Sequence, residues 1–396
     1  MNKYLNCVLL HLVSAAVIAQ QPNMTNAPGA DLGKFANTAA MATSKPTTIT
    51  IADGGGTAAT VISLHSGQVL RFGAGTYVIA GIDLPDSTNT NQISATVECA
   101  GIDKTVLKLA DGANRSVITD THFGSLTGKS NYFGAFRAAV KDCTIDGNKS
   151  HNQRGSGIRL YGRGLQIENV HVQDAAEDGV YTEWNGDSTF ANPEDDLEAN
   201  ITNLKTMFNG GNGMTSKGPH DLWVRGFISY QNRFWGWDIQ TPLHASQVNA
   251  FLNKSGGCWT HGVGSISGAD VICMTASGIG LLVDNSGGPA VLASGMFAGP
   301  VALELRQAHN QIQGVVSAST VAGVRLAGGG GMLSLVMYDN TGVWFDCQSV
   351  LPGNVISVSS LSPKGALFAP NCGTNGSRLG KMTLAVGGRK DAPVDY

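Results

Sequence analysis

Apolar and polar positions alternate in a short phrase that recurs along the second half of the chain. Each phrase has a small residue, an apolar residue, a variable residue, a second apolar or small residue and another variable residue. The phrases begin at Gly157, Gly179, Gly213, Gly236, Gly257, Gly280, Ala302, Gly323 and Gly342. Successive intervals are 22, 34, 23, 21, 23, 22, 21 and 19 residues, so all but one lie near 22. Such regularity is typical of a solenoid.

Alternation with a period of two predicts that each phrase is a β-strand with one buried face. The predicted inward pairs are Ile158/Leu160, Val180/Thr182, Met214/Ser216, Trp237/Ile239, Cys258/Thr260, Leu281/Val283, Leu303/Leu305, Val324/Leu326 and Val343/Phe345. The outward residues form two columns. The first column is Arg159, Tyr181, Thr215, Asp238, Trp259, Leu282, Glu304, Arg325 and Trp344. The second column is Tyr161, Glu183, Lys217, Gln240, His261, Asp284, Arg306, Ala327 and Asp346.

A coil of about 22 residues has room for two further short strands and their turns, but for no helix. The composition agrees, because 52 glycines and a charged fraction of 14% are unfavourable for long amphipathic helices. The sequence therefore predicts an all-β chain folded as a single-stranded, right-handed parallel β-helix. A β-sandwich or propeller is the alternative, but propeller blades repeat at about twice this period and sandwich strands are more closely spaced.

Five segments are predicted along the chain. They are a signal peptide (1–19), a flexible leader (20–48), an N-terminal cap with the first coils (49–150), regular coils (151–350), and a last coil with a C-terminal tail (351–396). The signal peptide, with Lys3 before a short apolar run, predicts a secreted or periplasmic protein. No later stretch reaches 18 apolar residues, so no membrane span is expected.

Six cysteines remain once the signal peptide is removed. They are Cys99, Cys143, Cys258, Cys273, Cys347 and Cys372. An even number fits disulfide formation in an oxidising compartment, although six cysteines allow about fifteen pairings. Free thiols buried in the core are the alternative.

Several segments resemble proteins of the pectate-lyase-like β-helix superfamily. They are residues 66–77, 101–107 (GIDKTVL), 140–148 (VKDCTIDGN), 167–170 (IENV) and 178–180 (DGV). The resemblance implies the β-helix fold and a substrate cleft on the outer face of the repeated strand. The superfamily includes pectate lyases, polygalacturonases, alginate lyases, uronan epimerases, phage tailspike depolymerases and some non-enzymes. No catalytic signature of a single family is matched, so fold does not decide the function.

The two outward columns carry aromatic residues, both signs of charge and a histidine over six consecutive coils. A polysaccharide is therefore the expected partner, bound as substrate along this face, by a protein that is a monomer or a homotrimer. Nucleic acid is not expected, because the net charge is −3 and no basic stretch occurs.

β-Elimination on a uronic-acid glycan is the first mechanism that fits these columns. It needs a cation beside the substrate carboxylate, a base for the C5 proton and an acid for the leaving oxygen. The candidate cations are Arg159, Lys217, Arg233 and Arg306. The candidate bases and acids are Tyr181, Lys217 and His261. Trp259 offers a flat apolar surface to a sugar ring.

Hydrolysis by paired carboxylates is the second mechanism. Glu183 and Asp238 lie two coils apart, which favours an inverting geometry, and Asp284 and Glu304 form a closer pair one coil apart. A protein that binds glycans without cleaving them is the third possibility.

One interval, from Gly179 to Gly213, is 34 residues long. The extra residues are expected in the acidic stretch 185–198, directly after the strand that carries Tyr181 and Glu183. Insertions into repeats form loops on one face, often the binding face. Because carboxylates are preferred ligands of Ca²⁺, Asp195 and Asp196 are candidate calcium ligands.

Overall fold

The chain forms a parallel β-solenoid in a computed structural model. The structure describes residues 30–31, 47–86, 93–125, 134–184, 199–262, 265–284, 288–349, 353–360, 364–373 and 381–386. The solenoid has about 13 turns of about 23 residues each, so the predicted β-helix is confirmed. Within the described residues no helix is long and apolar enough to cross a membrane.

The described residues contain 32 strands and one short 3-10 turn, Pro370–Cys372. The bounds of β1 to β32 are Ala30–Asp31, Thr48–Ile51, Gly56–Ala58, Ile62–Ser63, Val69–Phe72, Gly75–Ile79, Ile82–Leu84, Thr96–Cys99, Thr105–Leu109, Ile118–Asp120, Ala139–Lys141, Thr144–Asp146, Ile158–Tyr161, Leu165–Gln173, Val180–Glu183, Ala199–Met207, Met214–Lys217, Leu222–Tyr230, Trp235–Ile239, Leu243–Phe251, Gly256–Thr260, Ile266–Met274, Ile279–Val283, Ala290–Leu292, Gly295–Ala298, Val301–Leu305, Gln311–Ser317, Ala322–Leu326, Met332–Tyr338, Val343–Cys347, Val355–Ser360 and Lys381–Val386.

The nine strands of the repeated phrase and three earlier strands form a twelve-stranded parallel sheet. Its order is β4, β7, β10, β13, β15, β17, β19, β21, β23, β26, β28 and β30, so each strand pairs with its equivalent one coil away. The other twenty strands form a second sheet, which is bent. In its nine-residue strands a residue with left-handed φ marks the bend, for example Asn169 (φ 52°) in β14 and Asn203 (φ 52°) in β16.

The core fills the space between the two sheets. The predicted inward pairs from Ile158/Leu160 to Val324/Leu326 are buried, as expected. Buried asparagines bridge successive coils at the corner before the twelve-stranded sheet: the side-chain amide of Asn209 donates to Asn232 at 2.9 Å, and Asn232 donates to Asn253 at 2.9 Å. These bonds satisfy polar groups that would otherwise be costly to bury.

The glycines of the repeated phrase form a column in which backbones approach closely. A Cβ at Gly236 would lie 2.5 Å from the carbonyl oxygen of Gly257 and 2.6 Å from the Cβ of Ala250. The same conflict, at 2.4 to 2.8 Å from a carbonyl oxygen of the next coil, would arise at Gly157, Gly179, Gly213, Gly257 and Gly280. Close stacking of the coils therefore explains why the phrase begins with glycine.

The last coil differs from the predicted columns. In the last coil Asp346 pairs with Arg325 and Phe345 with Val324, so the predicted placement of Trp344 in the first column and Asp346 in the second is wrong. Trp344 stands where the preceding coil has Gly323, and it is buried. The interval is thus 21 residues, since the phrase in this coil starts with a tryptophan rather than with Gly342.

Tyr161 lies in the second outward column as predicted, in register with Glu183. It is nevertheless buried, because Trp184 packs on it with ring centroids 5.4 Å apart. An alternating pattern identifies the face of a strand, but it does not identify a side chain that folds over that face.

All six cysteines after the predicted signal peptide are paired. The disulfides are Cys99–Cys143, Cys258–Cys273 and Cys347–Cys372. Cys258 in β21 and Cys273 in β22 are both fully buried, so this disulfide crosses the core within one coil. The pairing favours disulfides over free thiols.

The predicted signal peptide lies outside the described residues. The predicted leader contains β1, which pairs with β3. At the other end β32 pairs with β31 and extends the solenoid by one strand.

Replacing Gly236 with alanine tests the role of the glycine column. We expect Gly236→Ala to lower the free energy of unfolding by about 1–3 kcal/mol, because a well-packed site must move to admit the methyl group. Gly323→Ala is the comparison variant and should lose less, since its nearest atom, the carbonyl oxygen of Trp344, is 3.0 Å away rather than 2.5 Å. Urea unfolding of both variants measures the difference, and equal losses would contradict the explanation.

Candidate active site

The candidate site lies on the outer face of five adjacent strands: β13, β15, β17, β19 and β21. Register places Arg159, Tyr181, Thr215, Asp238 and Trp259 in one line across them. Glu183 pairs with Lys217 in the parallel line, and Gln240 and His261 follow on the next two coils. Since neighbouring strands are about 4.8 Å apart, side chains on successive coils can touch.

One group of these residues, here called the Tyr181 cluster, comprises Phe123, Arg159, Tyr181, Glu183 and Lys217. The Tyr181 hydroxyl donates to Oε2 of Glu183 at 2.8 Å. Two cations lie beside the Tyr181 ring, with the Arg159 guanidinium 5.1 Å and the Lys217 ammonium 5.7 Å from its centroid. The Phe123 ring also contacts Arg159, with its centroid 4.4 Å from the guanidinium carbon, and meets Tyr181 edge-on. A hydroxyl and a carboxylate are thus flanked by positive charge.

The two cations differ in their freedom to bind a ligand. Arg159 is 3.6 Å from a carboxylate oxygen of Glu177. Lys217 is exposed, and no carboxylate of the described residues lies within 4.0 Å of its ammonium. Lys217 is therefore the cation of this cluster with capacity to bind an anionic group.

Tyr181 is held in its neutral form. Burial raises the pKa of its phenol well above the usual value, and the hydrogen bond to Glu183 and the negative charge of Glu183 raise it further. The predicted role of Tyr181 as a base therefore lacks electrostatic support, whereas a role as proton donor is favoured.

The second group, here called the His261 cluster, comprises Trp235, Asp238, Trp259 and His261. Nε2 of His261 is 2.7 Å from Oδ1 of Asp238, a buried carboxylate. The imidazole also stacks on Trp259, with centroids 3.8 Å apart and planes 12° apart. Trp259 in turn contacts Trp235 at 5.5 Å. The hydrogen bond to Asp238 thus fixes the direction of Nε2, and the stacking on Trp259 fixes the plane of the imidazole.

Trp235 owes its position to a glycine. A Cβ at Gly256 would lie 2.1 Å from the Trp235 ring, so the ring lies directly over the backbone of the next coil. The indole nitrogen of Trp259 is buried without a hydrogen-bond partner among the described residues. The imidazole covers one face of Trp259, and the Trp235 ring is tilted by 36° to Trp259, so the three rings form one aromatic cluster on the coils that follow Lys217.

Asp284, Glu304 and Arg306 belong to an ion-pair network. Arg306 contacts Oε1 of Glu304 at 2.6 Å and Oδ2 of Asp284 at 2.9 Å. Arg325 contacts Oε2 of Glu304 at 3.2 Å and Oδ2 of Asp346 at 2.8 Å. Both carboxylates of the closer predicted pair are therefore neutralised by arginine, which does not favour their use as an acid and a base in hydrolysis.

The remaining candidates lie elsewhere. Arg233 follows β18 and lines a groove at the corner before the twelve-stranded sheet, away from the two outward lines. Asp195 and Asp196 lie outside the described residues. Among the residues that are described, no group of three histidine, cysteine, aspartate or glutamate side chains could hold a metal ion.

Three supporting residues were missed by the sequence analysis. Asp178 accepts a hydrogen bond from the backbone of Asn212 at 2.7 Å, and Asn212 approaches Oδ2 of Asp238 at 3.5 Å. Burial raises the pKa of Asp178. Asp178 and Asn212 precede the repeated phrase, and Phe123 comes from an earlier coil, so the strand pattern gave no signal for them.

Comparison with known proteins finds similarity in the path of the chain only. No protein-family model matches the sequence, and no curated protein matches it. The A-module of the Azotobacter vinelandii mannuronan C-5 epimerase AlgE6 matches with 14% identity and a TM-score of 0.39, over 80% of this chain and 86% of that chain. Pectate lyase Pel9A matches with 12% identity and a TM-score of 0.41, over 76% and 69%.

The receptor-binding domain of the siphovirus 9NA tailspike also matches, with 11% identity and a TM-score of 0.31, over 89% of this chain and 74% of that chain. The similarity concerns the fold. Any function of this chain must therefore be argued from its own side chains.

The pKa of Tyr181 yields a testable prediction. Phenolate absorbance, taken as the difference between wild type and Tyr181→Phe, should show no ionisation of Tyr181 at pH 10, the usual midpoint of tyrosine. In Glu183→Gln the midpoint should fall towards the usual value, because a negative neighbour is removed while burial remains.

The raised pKa also fixes the sign of the effect on stability. Tyr181 contributes its stabilisation fully below pH 10, and this is lost as the pH rises through the higher midpoint of the folded state. Half-ionised Tyr181 at pH 10 in the wild type would contradict the assignment.

Proposed function

We propose that this chain is a polysaccharide lyase that cleaves a uronic-acid glycan by β-elimination at the Tyr181 cluster. The observation that carries the proposal is the hydrogen bond from Tyr181 to Glu183, with the Lys217 ammonium beside the Tyr181 ring. Among the described residues, no carboxylate oxygen lies within 4.0 Å of that ammonium. This arrangement offers a proton donor, a proton acceptor and a cation within one small area, which are the three groups that the reaction requires.

Each group has one role. Lys217, with Arg159 beside the same ring, pairs with the substrate carboxylate and stabilises the charge that develops when C5 loses its proton. Glu183 accepts the C5 proton. The C4–O bond then breaks as the C4–C5 double bond forms, and Tyr181 donates its phenolic proton to the leaving oxygen. Glu183 returns the accepted proton to Tyr181 through the existing 2.8 Å hydrogen bond, so the cluster ends as it began.

The His261 cluster is proposed to hold a neighbouring sugar. His261 lies two coils, or about 10 Å, beyond Lys217 along the same line. Trp259 and the imidazole stacked on it offer an apolar face to a sugar ring. With Nε2 bonded to Asp238, Nδ1 of His261 can bond a sugar hydroxyl. Asp238 is thus a positioning residue rather than a catalytic one.

Hydrolysis is the second candidate function, and one observation bears on it. Glu183 and Asp238 lie two coils apart, as an inverting pair would require. Asp238, however, is already bonded to His261 at 2.7 Å, so it is less available than Glu183 to act on a substrate or a water. The surroundings therefore favour elimination.

Single substitutions test the catalytic roles. We expect Tyr181→Phe, Glu183→Gln and Lys217→Gln each to lower kcat on polygalacturonate or alginate by about 100-fold or more, as expected for loss of a proton-transfer group or of a charge-stabilising group. Lys104→Gln, which removes an exposed lysine on an early coil, is the control. Absorbance of the unsaturated product, read beside the release of reducing ends, gives the rates.

The same assay separates the two clusters. His261→Ala and Trp259→Ala should mainly raise KM, because they remove binding to a sugar that does not react. Full activity of the three Tyr181-cluster variants, or new reducing ends without unsaturated product, would overturn the lyase proposal. Silence on every uronan would favour a glycan-binding protein.

Calcium dependence is tested with a chelator. If Lys217 and Arg159 suffice to neutralise the substrate, activity persists in the chelator. If instead the predicted ligands Asp195 and Asp196 bind a Ca²⁺ that takes part, activity falls and Asp195→Asn raises the calcium concentration needed to restore it.

A further inference from the structure

A long groove runs along the corner that precedes the twelve-stranded sheet, beside the strands of the candidate site. Its volume is about 920 Å³. Its lining comes from the ends of six adjacent strands, β9, β12, β14, β16, β18 and β20, or from the turns after them. Five steps of about 4.8 Å make it roughly 24 Å long, a shape that suits several sugars of a chain better than a small molecule.

Positive charge predominates in this groove. Four cationic side chains line it, namely Lys108, Lys149, Arg233 and Lys254, against two carboxylates, Asp146 and Asp174. Asp174 is engaged by Lys149 at 3.1 Å. Asp146 accepts the backbone N–H of Asn148 at 2.7 Å. Lys149 thus pairs with Asp174, and the remaining three cations outnumber the one remaining carboxylate, Asp146, by two positive charges.

Arg233 and Lys254 are the cations with capacity for a ligand. Both are exposed and come from equivalent positions on successive coils. Neither has a carboxylate oxygen within 4.0 Å among the described residues. One coil separates their backbones, so the pair can meet two acidic groups spaced about 5 Å apart along a chain.

An aromatic ring completes the groove. Phe208 lines it and is 37% exposed. Its ring is held edge-on against Tyr230 at 5.4 Å. An exposed ring in a fixed position is an apolar surface for a sugar, and cations beside such a ring favour a sugar that carries a negative charge.

We propose that this groove binds a second, non-reacting stretch of the acidic polysaccharide, with Arg233 and Lys254 pairing with its carboxylates. The identity of the polymer rests on the proposed function. The groove lies beside the reacting line rather than on it, because Arg233 precedes β19, which carries Asp238. It therefore retains the polymer near the Tyr181 cluster without taking part in the reaction.

Retention of the protein in native gels that contain polygalacturonate tests the groove. The double variant Arg233→Gln/Lys254→Gln should bind about 100-fold more weakly, since each of the two charged contacts contributes about tenfold. The control is Arg225→Gln/Lys381→Gln, which removes the same charge from exposed residues on the second sheet. Dextran gels measure retention by a neutral polymer.

Binding is also measured in the Tyr181→Phe background, so that it does not depend on turnover. Unchanged affinity of the groove variant, an equal loss in the control variant, or an equal loss on dextran would each overturn the groove proposal. Failure of the proposed reaction is distinguishable, because it would appear as absent product while retention on polygalacturonate still depends on Arg233 and Lys254.

Discussion

Close stacking of one coil on the next is the constraint on which the whole structure depends. A coil has no core of its own, so it buries its inward residues only when its neighbours lie about 4.8 Å away. The glycine column makes this spacing possible, as at Gly236, where a single methyl group would meet the carbonyl oxygen of the next coil. At the corners, buried asparagines such as Asn232 form hydrogen bonds between coils at the same spacing. The outward residues are thereby held at fixed, regularly spaced positions.

This regular spacing determines which side chains meet on the outer face. Tyr181 and Glu183 share one strand, and Lys217 is the next residue in line with Glu183, so three groups with different chemistry converge without any loop to order them. Functional groups held by packed strands are well preorganised. The same spacing places Trp259 and His261 two coils, or about 10 Å, beyond Lys217.

The repeat was readable from the sequence because glycine and alternating apolar residues are direct consequences of stacking. The inward residues as far as Val324 and Leu326, and the lines in which Tyr181, Lys217 and Asp238 lie, followed from that pattern alone. The side-chain partners that come from other strands and turns could not be predicted from the pattern. The pairing of Arg306 with Glu304, the place of Arg233 in a corner groove and the burial of Tyr161 under Trp184 depend on side-chain directions that no periodicity encodes. The predicted start of the last phrase at Gly342 is wrong, because Trp344 occupies the position that Gly323 has in the preceding coil.

The mass of the products released from a uronan tests the central claim most directly. Elimination forms a double bond without adding water, so each new non-reducing end should be lighter by one water than the product of hydrolysis. The account predicts that wild-type protein releases only these dehydrated oligosaccharides and that Tyr181→Phe releases almost none. Saturated products from the wild type would contradict elimination, and they would direct attention to Glu183 and Asp238 as a hydrolytic pair.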